Sequence, residues 1–493
     1  MHASKPEKSR ASFLARIPSS REGLLLGLTL TLLSCLPFFA APYPMLTDYA
    51  AHLARYYVMM DGGQNPFLAR YYDFEWMWVG NLGADLLIWP LAKLFGLERA
   101  GWLIGLIIPL LTGLGIMAVE WALRRRVGVG SLLAMTMIWS PALVMGFYNF
   151  CLSLALALFS FALWVRLREW RWRWLLFLPL GLVVWVCHAS GWGVLGVLVF
   201  GYEWHRKKGP AALLAPWPLT LPVVPMLLHQ AAPIVSLYGR NVMRYKLGIW
   251  MQSMRDQAIL LDLATPVLIV LILLVATVLR RIDGRLGWAV LIFAGLTLAM
   301  PRHFGGGDYA DMRLIAVAFM IGCLAIGWQA PRWVLWLAPL LFLVRLDATV
   351  EGWHRQAREL DGIMKALDYI PEGSKVAGAV LVESRRWETN SFQHVPSFAT
   401  VRRDALVNSH FAIPGVHMLH LKEGGRGFVD PSHRIMYVPG REIDLAAFKP
   451  AKQTDYLWYI GRLPPTRMPE GATILYRTKG SFLARLANPV APR

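Results

Sequence analysis

Charge is scarce in this chain: only 16% of its 493 residues are Asp, Glu, Lys or Arg, against a hydrophobic share of 56%. An ordinary soluble domain needs more charge than that, so the composition excludes one and leaves a multi-span membrane protein. Cysteine is also sparse. The four, Cys35, Cys151, Cys187 and Cys323, all fall in apolar stretches, with neither metal nor redox spacing, and no disulfide is expected. No internal repeat and no low-complexity tract is visible, which argues against solenoids and against repeated transporter halves. Acidic residues number 31 against 50 basic ones, a net charge of +19 that in a soluble protein suggests a nucleic-acid partner. Here the arginines come in short runs between apolar spans, where orientation in the membrane explains them, and no nucleic acid is expected.

The first apolar span runs from about Gly23 to Ala41, preceded by a basic tail (residues 1–22) that marks its near end as cytoplasmic. No small-residue cleavage site follows, so the expectation is a retained span. Further basic clusters at Arg124 to Arg126, Arg166 to Arg173, Arg206 to Lys208, Arg280 to Arg285 and at Arg332 are assigned to the same cytoplasmic side. Between them lie apolar segments at about 129–147 and 151–166, 174–187 and 190–204, 211–228 and 258–279, and 286–300 and 314–330, with a last one at 333–347. Two apolar segments, about 76–96 and 101–123, separate the loop after the first span from Arg124, and parity permits only one to cross. The earlier carries Glu75, Asn81, Asp85 and Pro90, so it is assigned to the outer interface. The result is a mostly α polytopic bundle of about eleven spans, residues 23–348, with an external loop at about 42–100.

Beyond this bundle charge becomes frequent, and residues 349–493 read as a small extracytoplasmic α/β domain. Its expected elements are a helix at Trp353 to Tyr369, strands at Val376 to Val382, Tyr456 to Ile460 and Thr473 to Arg477, and a helix near Ile443 to Phe448. The Trp170-Arg-Trp-Arg-Trp174 run is an interfacial aromatic belt.

An ionisable group in lipid is costly, so position carries information. Asp48, His52 and Arg55 follow the first span at separations of four and three residues, which align them on one helix face where Arg55 or His52 holds the Asp48 carboxylate. Outer span ends also carry Asn149 (in Gly146-Phe-Tyr-Asn149), His188 (in His188-Ala-Ser-Gly191), the segment Arg240 to Lys246, and the loop from Pro301 to Arg313 with His303, Asp308 and Asp311. An oriented carboxylate can take a proton from an attacking hydroxyl, and the guanidinium of Arg313 can make forked hydrogen bonds to a phosphate at headgroup depth. Gly305 to Gly307 form a weak anion nest without Walker spacing. The histidines His394, His410, His417, His420 and His433 match no metal-site spacing, and no metal ligand is assigned.

Pro44-Met-Leu-Thr-Asp48-Tyr-Ala-Ala-His-Leu-Ala-Arg55 resembles the corresponding stretch of the GT-C superfamily of integral-membrane glycosyltransferases, which use sugars carried on polyprenyl phosphate. The resemblance covers the whole membrane region through short, degenerate motifs. It implies Asp48 as catalytic base, 76–96 as part of the external loop, and Arg313 as the residue that binds the donor phosphate. Many members carry a second acidic residue in the next external loop, used in some for a metal ion. This chain has Asn149 there, which implies metal-independent transfer without a cofactor, or loss of activity. The activity implied is inverting transfer from a polyprenyl-phosphate sugar to a hydroxyl of a glycan, lipid or protein at the outer face of a bacterial inner membrane. A non-catalytic assembly subunit of an envelope polysaccharide system and a lipid or sugar transporter are the alternatives.

Overall fold

The computed structural model describes residues 14–228, 236–238, 241–304 and 307–487. Gly305, Gly306 and Arg240 lie outside the described residues, as does most of the basic tail.

Helix α1 (Ser20–Leu33) starts where Ser19 accepts a hydrogen bond from the Glu22 amide, and it runs into a 3₁₀ turn at Leu36–Phe39. After Pro42 and Pro44 comes α2 (Tyr49–Asp61), stopped by Gly62 in the left-handed region at φ 61°. Strand β1 (Tyr72–Phe74) and α3 (Gly83–Phe95) follow, then α4 (Leu97–Arg124), α5 (Tyr148–Arg166), α6 (Arg173–Cys187) and α7 (Ala189–Lys207). Further along come α8 (Val242–Met251), α9 (Ile259–Val278), α10 (Gly284–Ala299) and α11 (Ala310–Ala325), before the long α12 (Leu340–Met364).

Among the described residues five stretches are long and apolar enough to cross a membrane: Ser20–Phe39, Leu97–Arg124, Tyr148–Arg166, Ile259–Val278 and Arg332–Tyr369. The segment Val129–Val144 and helices α6 and α10 are apolar but shorter. At 13 residues, α3 extends about 20 Å, short of the roughly 30 Å hydrocarbon layer. Two expected crossings are not helical throughout, and 129–147 is one of them, with a 3₁₀ turn at Met135–Met137 and a break before Pro141. Residues 211–228 break into short turns at Pro210–Leu213, Trp217–Leu219 and Val223–Leu228, because Pro216, Pro218, Pro222 and Pro225 remove amide donors and bar continuous helix.

The basic clusters do gather. Arg124 pairs with Asp283 at 3.0 Å, Arg285 donates to the Leu123 carbonyl, and Arg126 donates to the Gly327 carbonyl. Glu203 receives Arg173 at 2.9 Å and has Arg206 and Lys207 within 3.7 Å, while Arg332 pairs with Glu22 at 2.8 Å. Helix α4, about 42 Å long for 28 residues, carries Arg124 at one end and at the other packs Gly101 against Tyr49 of α2. The basic loops and the Asp48 loop are thus at opposite ends.

Helix α12 runs without a break across residue 349 and ends in a 3₁₀ turn at Lys365–Tyr369, so the assigned domain boundary falls inside one helix. The C-terminal sheet centres on β2 (Lys375–Glu383). Its one edge pairs in parallel with β3 (Leu406–Val407) and then with β5 (Arg434–Tyr437), and its other edge pairs in parallel with β6 (Tyr456–Ile460). β8 (Ser481–Arg485) lies antiparallel between β6 and β7 (Thr473–Arg477). Three of these strands match the expectation from sequence. The helix expected near Ile443 to Phe448 does not form: the chain there is irregular, with Asp444 bridging to Arg467, and Ile443 and Leu445 are buried by the sheet. Strand β4 (Leu419–Leu421) pairs with β1 of the loop after the first span, and Asp404 accepts hydrogen bonds from Tyr57 (2.9 Å) and Asn65 (2.8 Å). One apolar core continues from Leu30 in α1 to Leu483 in β8, so sheet and bundle are packed as one body.

Candidate functional site

Asp48 immediately precedes α2. Its amide donates to the Met145 carbonyl at 3.0 Å and that of Thr47 to Val144, which pins the chain to the turn before α5. The turn is tight because Gly146, at φ 90°, adopts a backbone that residues with a Cβ rarely hold. Asp48 occupies the N-cap position, yet its side chain makes no capping bond, so the carboxylate is free for other use. Burial raises its pKa to about 7, helped by Asp430 and opposed by Arg434 and Arg313.

Facing Asp48 is a group that comes entirely from the C-terminal domain. His394 Nε2 lies 3.7 Å from Asp48 Oδ1 and 3.9 Å from Asp430 Oδ1, and His433 Nδ1 lies 3.7 Å from that same oxygen. The sheet sets these positions. The His433 carbonyl accepts from Val380 of β2, and the Asp430 amide donates to the His410 carbonyl. His394 Nδ1 sits 2.8 Å from the Ser409 carbonyl, which can only accept, so Nδ1 carries the proton and Nε2 is left with a bare lone pair. That Nε2 is buried without a hydrogen-bond partner, and so are both ring nitrogens of His433. Both imidazoles have no solvent exposure. Burial pushes the His394 pKa down to about 3 and that of His433 well below its ordinary value, so both rings are neutral. Asp430 receives Arg434 Nη2 at 2.8 Å, and burial nonetheless raises its pKa.

Arg313, near the start of α11, forms the second half of the site. Its Nη1 meets His188 Nε2 at 3.0 Å, its Nη2 donates to the Asp308 carbonyl at 3.2 Å, and its guanidinium stacks 4.3 Å from the Phe147 ring. Among the described residues it has no carboxylate in ion-pair range, and its Nε is buried without a partner. His188 Nδ1 already accepts from the Ser190 amide. A neutral imidazole has one lone pair for these two donors, so Arg313 keeps donor capacity for a ligand. His188 ends α6 and opens α7, between the apolar segments expected at about 174–187 and 190–204. One turn further, Trp192, Gly193, Gly196, Val197 and Phe200 line an apolar cavity of about 560 Å³ with Leu219 and Ile292.

Several residues expected to share the site are engaged elsewhere. Arg55 does not hold Asp48; it forms a buried ion pair with Asp85 at 2.6 Å. The Asn149 amide nitrogen donates to the Asn81 carbonyl (2.7 Å) and to Asp85 (3.2 Å), and its oxygen accepts from the Ala84 amide, so it ties α5 to α3. His52 shares the helix face but packs between Tyr56 and Phe411, and it meets Asp48 only through a backbone bond. Asp308 pairs with Arg302 and Asp311 with buried Lys246 at 2.5 Å, so neither takes the place of an acid at Asn149. His303 lies in a two-residue strand paired with Ser236–Leu237. Missed in the sequence were Asp430 and Arg434, while His394 and His433 were weighed as metal ligands and set aside for want of a recognised spacing. The signal available was Asp430-Pro-Ser-His433, two ligand-type residues three apart, with the other histidine 36 residues before Asp430 and no local pattern to connect them.

The chain matches no family model, no curated protein and no solved structure.

Proposed function

We propose that this protein is an integral-membrane glycosyltransferase of the GT-C kind, built on about eleven crossings of which the shorter helices such as α6 and α10 complete the count. It moves a sugar from a polyprenyl-phosphate carrier to an acceptor hydroxyl on the extracytoplasmic side. The observation that carries this reading is a buried carboxylate, Asp48, within electrostatic reach of an arginine, Arg313, where among the described residues the first has no Lys or Arg in ion-pair range and the second no carboxylate. Left unpaired, each is costly, and a substrate that brings both a hydroxyl and a phosphate relieves the cost.

In the reaction Asp48 takes the proton of the acceptor hydroxyl, the oxygen attacks the anomeric carbon, and the bond from that carbon to the phosphate oxygen breaks with inversion. Polyprenyl phosphate leaves, and Arg313 stabilises the charge it gathers. The apolar cavity along α7 supports the reading, since it begins one turn from His188 and has the lining that a prenyl chain needs.

Reconstitution with polyprenyl-phosphate sugars tests this: wild type transfers sugar, and Asp48→Asn, with unchanged helical content, does not. Transfer at the wild-type rate by that variant rules out Asp48 as base. A non-catalytic assembly role is favoured by one observation, the commitment of Asn149 to helix tethering where related enzymes carry an acid, and it predicts that Asp48→Asn leaves cellular function intact.

A further inference from the structure

We propose that His394, Asp430 and His433, with Asp48 at their margin, bind one divalent transition-metal ion of the zinc class. The ligand atoms of the first three lie within 4.8 Å of one another. Around a tetrahedral zinc with bonds of about 2.0–2.1 Å, neighbouring ligand atoms are separated by roughly 3.4 Å. The separations of 3.7 and 3.9 Å to Asp430 Oδ1 need to contract by a few tenths of an ångström, and that between the two histidines, within 4.8 Å, by at most about 1.4 Å, which side-chain rotations supply.

Three further features point to a ligand. First, the ring nitrogens aimed into the cluster have no partner, although a buried polar atom in a folded protein ordinarily has one. Second, the Ser409 carbonyl holds the proton of His394 on Nδ1 and turns the Nε2 lone pair inward, the outer-shell arrangement that metal-ligating histidines use. Third, the formal charges suit a dication: Asp48 and Asp430 face the cluster with Arg434 as the one basic group bonded there, which leaves a net negative charge. Two imidazoles with carboxylate select Zn²⁺ or a similar ion over Mg²⁺ and Ca²⁺, which prefer oxygen.

This assignment places a metal in the C-terminal domain, not at the Asn149 loop, and replaces the expectation of metal-independent transfer. It does not depend on the transferase reading, because uptake is measured without substrate. The full chain, purified in detergent and stripped with a chelator, is titrated with Zn²⁺ followed by elemental analysis, and with Co²⁺ followed by visible absorption. The result expected is one equivalent per chain, ligand-field bands of Co²⁺ in a low-symmetry site, and a raised thermal midpoint. The double variant His394→Ala/His433→Ala loses all three while keeping its elution volume and helical content, and Asp430→Asn serves as the second variant where that one does not fold. Wild-type protein that takes up no stoichiometric Zn²⁺ or Co²⁺ overturns the proposal, and so does uptake undiminished in the variants. Asp48→Asn that binds metal but transfers no sugar, and a metal-free wild type that transfers, separate the two readings.

Discussion

Two buried polar groups lie within two turns of each other on the same helical segment, and they differ in what surrounds them. Arg55 faces Asp85 at 2.6 Å, with Asn149 bonded to the same carboxylate, and charge is matched within the protein. Asp48 faces neutral His394, behind which lie neutral His433 and a second carboxylate, Asp430, with ring nitrogens that have no hydrogen-bond partner. The first arrangement is framework: it clamps α2, α3 and α5 together and has little left to offer a ligand. The second is incomplete by itself, and incompleteness in a buried cluster is what a substrate or ion can satisfy.

The comparison is broken most severely at Asp48. Asp48→Asn is expected to lower transfer by roughly 10²–10⁴-fold, the usual contribution of a positioned base, with the thermal midpoint preserved. At the matched group the expectation is reversed. Arg55→Leu leaves Asp85 buried and uncompensated and destabilises by about 3–5 kcal/mol, measured by denaturant unfolding in detergent, whereas Arg55→Leu/Asp85→Leu recovers most of the loss. If the single variant unfolds at the wild-type midpoint, the framework reading of this pair is wrong.

Arg313→Lys sharpens the distinction between a charge and a fork. It retains the positive charge but loses the planar donor set, and the KM for the lipid-linked donor is expected to rise roughly 10–100-fold with a smaller effect on kcat. The smallest effect belongs to the exposed pair between Arg402 and Glu98, which joins the C-terminal domain to α4 at 2.6 Å. Arg402→Ala is expected to cost at most about 1 kcal/mol, because solvent screens such pairs.

Much of the bundle was legible because its signals are local. Apolar runs, prolines and arginine clusters predicted the extents of α4, α5, α6, α7 and α9 to within a few residues. The failures share a cause. At 211–228 apolar composition outweighed four prolines in the reading, and at 443–448 a buried stretch was taken for helix although its partners lie across the sheet. For the site, the spacing of Asp48, His52 and Arg55 did describe a common helix face, but it left open what faced it. Asp85, 30 residues beyond Arg55 and on another helix, took the arginine that had been assigned to Asp48.

By itself the sequence determined that this protein is built of apolar helices suited to a membrane, since hydropathy acts residue by residue through transfer free energy. It also determined that Asp48 follows the first span and that Arg313 heads a later helix. Which charges neutralise one another, and which stay unpaired, was decided only by tertiary structure. Ion pairs and ligand sets depend on separations of a few ångströms between residues hundreds of positions apart, and only the packing of the sheet against α2 brings His394, Asp430 and His433 to Asp48.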